Sequence, residues 1–214
     1  MPIRSSKRLA ALTAYAFSAV DEKVAELKAK GVRVIDFGVG DPTIPTPFFI
    51  RKALKKAVDA RAASGYPSYT GSPEFRKAVA EWTRRRHAVA LDPETEVCAS
   101  IGAKEAVFHF PEAILDPGEV VLVPTPGYPP YARGTRFAEG ECFHLPLGRD
   151  NDYLPDLRKI PAAVLKRARI LWINYPNNPT GAMAPDAFLR DAVAFTRKHG
   201  LVLASDEAYS ELYY

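Results

Sequence analysis

Ile170-Leu171-Trp172-Ile173-Asn174-Tyr175-Pro176-Asn177-Asn178-Pro179-Thr180-Gly181 decides the fold, together with Leu201-Val202-Leu203-Ala204-Ser205-Asp206-Glu207-Ala208-Tyr209 one crossover later. Each stretch opens as an unbroken apolar run of strand length, the pattern of a strand covered on both faces, and stops at polar residues. The segment between them reads as one helix. Pro185 fits its first turn, Phe188, Ala192 and Phe195 recur at helical spacing, and Lys198, His199 and Gly200 supply a cationic last turn and a stop. Strand, helix, strand of this length predicts a right-handed βαβ unit in a parallel sheet. Ligands of such sheets sit beyond the carboxyl ends of the strands, so Asn178, Asp206 and Tyr209 are expected to face one crevice.

Working outward, Val120 to Val123 is a buried strand ending at Pro124-Thr125-Pro126-Gly127-Tyr128-Pro129-Pro130-Tyr131, where Tyr128 is placed to lie flat on a planar ligand. Glu141 to Leu145 is the next strand, followed by a polar loop and a helix toward Arg167. Val97 to Ile101 reads as a strand ending at Gly102, and Ala103-Lys104-Glu105 starts a helix; free N–H groups at such a turn suit an anion such as phosphate. Further upstream, Ser72 and Pro73 form an N-cap and first-turn pair, with Phe75, Val79 and Trp82 as the buried stripe of the helix they open. Phe48 to Ala60 is another helix, carrying Phe49, Ala53, Leu54, Ala57 and Val58 on one face. Between the two lies the loop Gly65-Tyr66-Pro67-Ser68-Tyr69-Thr70-Gly71. Val32 to Phe37 is a short strand running into Gly38-Val39-Gly40-Asp41-Pro42. Its G-x-G is no dinucleotide loop, because Pro42 and later prolines remove the helix N-terminus that a pyrophosphate needs.

With 214 residues, 47% hydrophobic and 25% charged, the chain is long enough for a sizeable core and is neither disordered nor fibrous. The net charge of +4 is spread through helices; its one cluster, Arg84-Arg85-Arg86, reads as a helix C-terminus rather than a nucleic-acid patch. Two cysteines, Cys98 and Cys142, both read as strand residues, support neither a disulfide framework nor a zinc site, and a reducing cytoplasm is expected. Arg4-Ser5-Ser6-Lys7-Arg8 and the diluted apolar run after it read as a mature arm rather than a signal peptide, and no membrane span is expected. The expected division is an arm, helix and substrate loop over 1–47 and a large domain over 48–214.

In order along the chain, the Gly38 to Pro47 loop, Gly102-Ala103-Lys104, Asn178-Pro179-Thr180-Gly181 and Asp206-Glu207-Ala208-Tyr209 resemble the fold-type-I, pyridoxal-phosphate-dependent aminotransferases of class I/II. Tyr15 in its Leu12 to Phe17 context, Gly65 to Tyr69, Pro126 to Pro129 and Asn174 to Gly181 are most similar to the LL-diaminopimelate branch of that family. The resemblance implies an α/β fold, a three-layer α/β/α with a mostly parallel sheet, of which this chain carries the N-terminal part. It implies pyridoxal 5'-phosphate as cofactor, with Asp206 at the pyridinium nitrogen, Asn178 and Tyr209 at the phenolate oxygen and Tyr128 stacked on the ring. Ala103 and Lys104 would hold the phosphate, and Tyr66 would reach the phosphate of a neighbouring subunit in a homodimer. Tyr15, Gly40 and Lys104 would touch substrate. Many relatives have a serine where Ala103 stands, so one phosphate hydrogen bond fewer is expected.

The same resemblance implies a cytoplasmic enzyme that exchanges an amino group between an amino acid, LL-diaminopimelate in the lysine pathway, and a 2-oxo acid such as 2-oxoglutarate. The Schiff-base lysine of the family lies some tens of residues after the Asp206 motif. No lysine stands among the eight residues from Glu207 to Tyr214, so this catalytic residue is expected beyond Tyr214. A fragment, inactive alone, is therefore the expectation, with a non-catalytic chain that binds cofactor or a full-length partner as the alternative. Two strands of the family's sheet are expected to be missing between the strand ending at Gly102 and the one leading to Asn178, leaving backbone groups bare.

Overall fold

The computed structural model describes residues 3–10, 16–35, 37, 40 and 43–212, and they divide into two compact units, 1–98 and 99–214. Tyr15 and most of the Gly38 to Pro42 loop lie outside the described residues. So does Tyr214.

The first unit is helical. It holds α1 (Lys7–Ala10), α2 (Ala16–Ala29), α3 (Phe48–Ala60) and α4 (Pro73–His87). Helix α4 begins where its sequence requires: the Ser72 hydroxyl accepts from Phe75 N at 3.2 Å and Pro73 occupies the first turn. Its last turn carries Arg84, Arg85, Arg86 and His87, the cations favoured at that end. The expected stripe is only partly buried, since Phe75 and Trp82 are exposed. Arg76 is buried in their place, its guanidinium donating to Gly71 O and Pro93 O and pairing with Glu94 at 3.0 Å. The apolar face of α3 is likewise open, with Phe49 71% exposed. Residues 32–35 form no strand.

The second unit contains the sheet. Helix α5 (Ala103–Ile114) leads to β1 (Val120–Thr125), α6 (Pro129–Phe137) and β2 (Glu141–Pro146). Short helical turns and α7 (Ala162–Leu165) then precede β3 (Ala168–Asn174), α8 (Asp186–His199) and β4 (Val202–Asp206). The strands are parallel in the order β2-β1-β3-β4. Alternation along each strand builds two cores. Val121, Val123, Ile170 and Trp172 pack with Val107 and Tyr131 of α5 and α6, while Val120, Leu122, Leu171 and Ile173 pack with Leu157, Ile160 and Ala192 of α8. This is the three-layer α/β/α arrangement expected of continuous apolar strands. Pro185 stands at the N-cap of α8, one position before the first turn, and Gly200 closes that helix.

Two strand expectations are corrected here. Residues 97–100 are irregular and Cys98 is exposed: a strand is defined by a ladder, and no described strand lies beside this one. The bare edge also lies elsewhere than expected. The strand leading to Asn178, β3, is paired on both sides, and the described sheet ends at β4 on one side, beside β3, and at β2 on the other.

Candidate active site

The carboxyl ends of β1, β3 and β4 set the site. Asn174 and Asp206, the last residues of β3 and β4, are register partners, so the two loops leave the sheet at the same level. Asn174 is 2% exposed and joins them: its Nδ2 donates to Asp206 O at 2.9 Å and its Oδ1 accepts from Asn178 N at 2.8 Å. Asn178 Nδ2 lies 3.4 Å from Tyr209 OH. A second buried amide, Asn177, shapes the turn by accepting from Thr180 Oγ1 at 2.8 Å and Thr180 N at 3.3 Å. Asn178, Asp206 and Tyr209 are all half-buried, each with part of its surface in reach of a ligand. The strand tips thus put Asn178 and Tyr209 within 3.4 Å of each other, in loops that leave the sheet beside Asp206.

The Asp206 carboxylate has two donors. Its Oδ1 accepts from Ala208 N at 3.2 Å and its Oδ2 from Tyr131 OH at 2.7 Å. Tyr131 is fully buried in α6, stacked on Trp172 with centroids 4.8 Å apart and 19° between the planes. Burial raises its phenol above the ordinary tyrosine range, and the hydrogen bond to Asp206 adds to the rise. Tyr128, the N-cap of α6, meets Tyr131 edge-on at 5.8 Å and 80°.

At the start of α5, Gly102 takes φ +76, a conformation that L side chains rarely adopt, and caps the helix without a side-chain acceptor. Ala103 and Lys104 are the first two helical residues, and both are exposed. The Glu105 carboxylate accepts from Ile101 N just before the turn. Tyr66 and Gly40 belong to the first unit; Tyr66 is fully exposed, and a Cβ at Gly40 would meet nothing within 4 Å.

Tyr131 and Asn174 are the members that the sequence reading missed. Asn174 could have been found as the polar residue that ends an apolar strand. Tyr131 stands three residues after Tyr128 behind a Pro-Pro pair that opens a helix, so the two share a face.

The model of the family described as aminotransferase class I and II matches residues 32–214. The chain belongs to that family. Class I and II aminotransferases of this fold depend on pyridoxal 5'-phosphate. LL-diaminopimelate aminotransferase of Nitratidesulfovibrio vulgaris is 52% identical over 207 residues, covering 97% of this chain and 53% of that protein. The enzyme of the same name from Aquifex aeolicus is 50% identical over 208 residues, covering 97% and 54%. Among solved structures, apo BacF of Bacillus subtilis superposes with TM-score 0.89 at 39% identity, covering 96% of this chain and 52% of that one. A single mutant of Thermus thermophilus aspartate aminotransferase gives TM-score 0.88 at 32% identity, covering 96% and 53%. The chain spans about half the length of the curated relatives it matches.

The class I and II cofactor is a flat ring with a basic nitrogen, a phenolic oxygen and a phosphate, and the donor set of the second unit suits it. A carboxylate held by two donors, an amide and a phenol 3.4 Å apart, and a helix start without a side-chain cap match those three groups in chemistry. Among the described residues, no group of His, Cys, Asp and Glu could hold a metal ion, and no helix is long and apolar enough to cross a membrane.

Proposed function

We propose that the chain serves a pyridoxal-phosphate-dependent aminotransferase that moves an amino group between LL-diaminopimelate and a 2-oxo acid such as 2-oxoglutarate, a step of lysine biosynthesis. The observation that carries the reading is that the register-paired strands end at Asn174 and Asp206, with Asn178 and Tyr209 3.4 Å apart in the loops that follow. When bound, the cofactor supplies an electron sink that stabilises the charge left as an amino acid gives up its α-proton. Asp206 would pair with the ring nitrogen and hold a proton there. Asn178 and Tyr209 donate to the phenolic oxygen. Ala103 and Lys104 receive the phosphate at the start of α5, where free N–H groups and the helix dipole favour an anion. Ala103 contributes only its backbone there, having no hydroxyl. Tyr128 covers the ring face.

Tyr66 reaches the phosphate of a second subunit, which makes the working form a homodimer in the cytoplasm, and its full exposure in this chain suits that role. Tyr15, Gly40 and Lys104 meet the substrate. In this reading residues 1–47 form an arm, helix and substrate loop, and residues 48–214 belong to the large cofactor-binding domain. The family's Schiff-base lysine is not among Glu207 to Tyr214, so the roles of the residues named above are binding and orientation. The test is a coupled assay of glutamate release from LL-diaminopimelate and 2-oxoglutarate, using the protein at its full encoded length. D206N is expected to lower turnover roughly 100-fold or more, the scale of losing a preorganised charge at a reacting group. An enzyme with no amino transfer to 2-oxoglutarate, or a D206N variant as fast as wild type, would end the proposal.

A further inference from the structure

We infer that Tyr131 is the positioning residue for Asp206: its hydroxyl fixes the carboxylate where it meets the ring nitrogen of the cofactor, an inference that rests on the pyridoxal-phosphate reading above. A half-buried carboxylate at the end of a strand has several rotamers of similar energy, and a fixed partner must select one. Tyr131 is such a partner, because its ring is fully buried and packed between aromatic neighbours. One face stacks on Trp172 and Tyr128 stands edge-on to it. Its backbone is pinned within α6, where Tyr131 O accepts from Thr135 Oγ1 at 2.7 Å. The helix itself is held against α5 at Gly134, where any Cβ would collide with the Phe108 carbonyl.

The hydroxyl reaches Asp206 Oδ2 at 2.7 Å across 75 residues of sequence. Buried as it is, the phenol keeps its proton through the neutral range and remains a donor to the carboxylate. The second oxygen accepts from Ala208 N at 3.2 Å, a backbone contact that exists only if the β4 loop is in place. One side chain thus ties the acid to the aromatic group proposed to cover the ring. A positioning effect of this kind has a signature that packing lacks: it disappears when the carboxylate is removed.

Equilibrium dialysis of pyridoxal phosphate against the protein at its full encoded length, and against Y131F, D206A and the double variant, reads that signature. Y131F is expected to raise Kd about tenfold when Asp206 is present, the scale of one hydrogen bond to a charged group, and to change nothing in the D206A background. A Y131F protein that binds like wild type, or one whose loss is the same in both backgrounds, overturns the inference. If D206A weakens binding while Y131F is silent, only the role of Tyr131 falls. If wild type does not bind, or D206A binds as well as wild type, the cofactor reading falls and this inference with it. Should Y131F fail to fold, fluorotyrosine at position 131 keeps ring and hydroxyl. Its fluorine resonance is expected to move on cofactor addition with Asp206 present and to stay fixed in D206A; no movement in either protein overturns the inference.

Discussion

Asn174 shows how much one buried amide can organise. Its side chain bonds the backbone of both loops that carry the site, so Asn174→Ala would leave Asp206 O and Asn178 N without those partners. The expected loss is about 1–3 kcal/mol of stability, read as a lower denaturant midpoint with unchanged slope. Two tyrosines set the alkaline limit. Burial pushes the Tyr175 phenol up to about 12, with its hydroxyl donating to Tyr153 O at 2.9 Å, and raises Tyr131 further. Both keep their protons in the folded chain above the pH, about 10, at which the unfolded chain loses them. Their contribution is therefore complete below about pH 10 and lost as pH rises through about 12 and beyond. Melting temperature measured from about pH 8 to about pH 12 is expected to fall at the top of that range, less steeply in Tyr175→Phe. At this scale the sequence exposed the ends of strands well, since a polar residue after an apolar run is conspicuous. It hid the bond from Tyr131 to Asp206, whose two ends lie 75 residues apart.

Elements were legible where their own residues determine them. The apolar runs of β1, β3 and β4, the Ser72-Pro73 start of α4 and the Gly200 stop of α8 all needed only local chemistry, and all formed. Residues 97–101 have strand-like composition but need a neighbour to pair with, a property of no single segment. Helix α6 is hard to read for the opposite reason: Pro129 and Pro130 look like a turn, yet as the first helical residues they forfeit no intrahelical bond. That helix depends on a glycine. Gly134→Ala places a methyl against the Phe108 carbonyl, so α5 and α6 must separate, with an expected cost of about 1–3 kcal/mol measured by thermal or urea unfolding. If G134A is as stable as wild type, the close approach of the two helices is wrong.

For the molecule as a whole, the exposed features are as informative as the cores. Phe48, Phe49, Leu54 and Val58 leave the apolar face of α3 open, although the sequence pattern that formed the helix implies cover for it. The free side of β4 offers unpaired N–H and C=O groups, the usual starting point for strand addition between chains. The 214-residue chain by itself is expected to self-associate. Val202→Lys, at a surface position of β4, should lower its light scattering several-fold while changing stability by only about 0.5 kcal/mol. The general architecture could be read from patterns because parallel strands buried on both faces have few other solutions. The position of the bare edge could not, because strand order is fixed by pairings among distant segments.

The stacking of Trp172 on Tyr131 gives the protein an optical reporter of its own. Trp82 is the only other tryptophan, so Trp82→Phe leaves a single emitter, an indole set in apolar surroundings whose Nε1 has no hydrogen-bond partner. Its emission should be blue-shifted in the folded chain and red-shifted by urea. A ligand that absorbs in the near ultraviolet and settles against Tyr128 would quench it, so that occupancy could be followed in real time without a label.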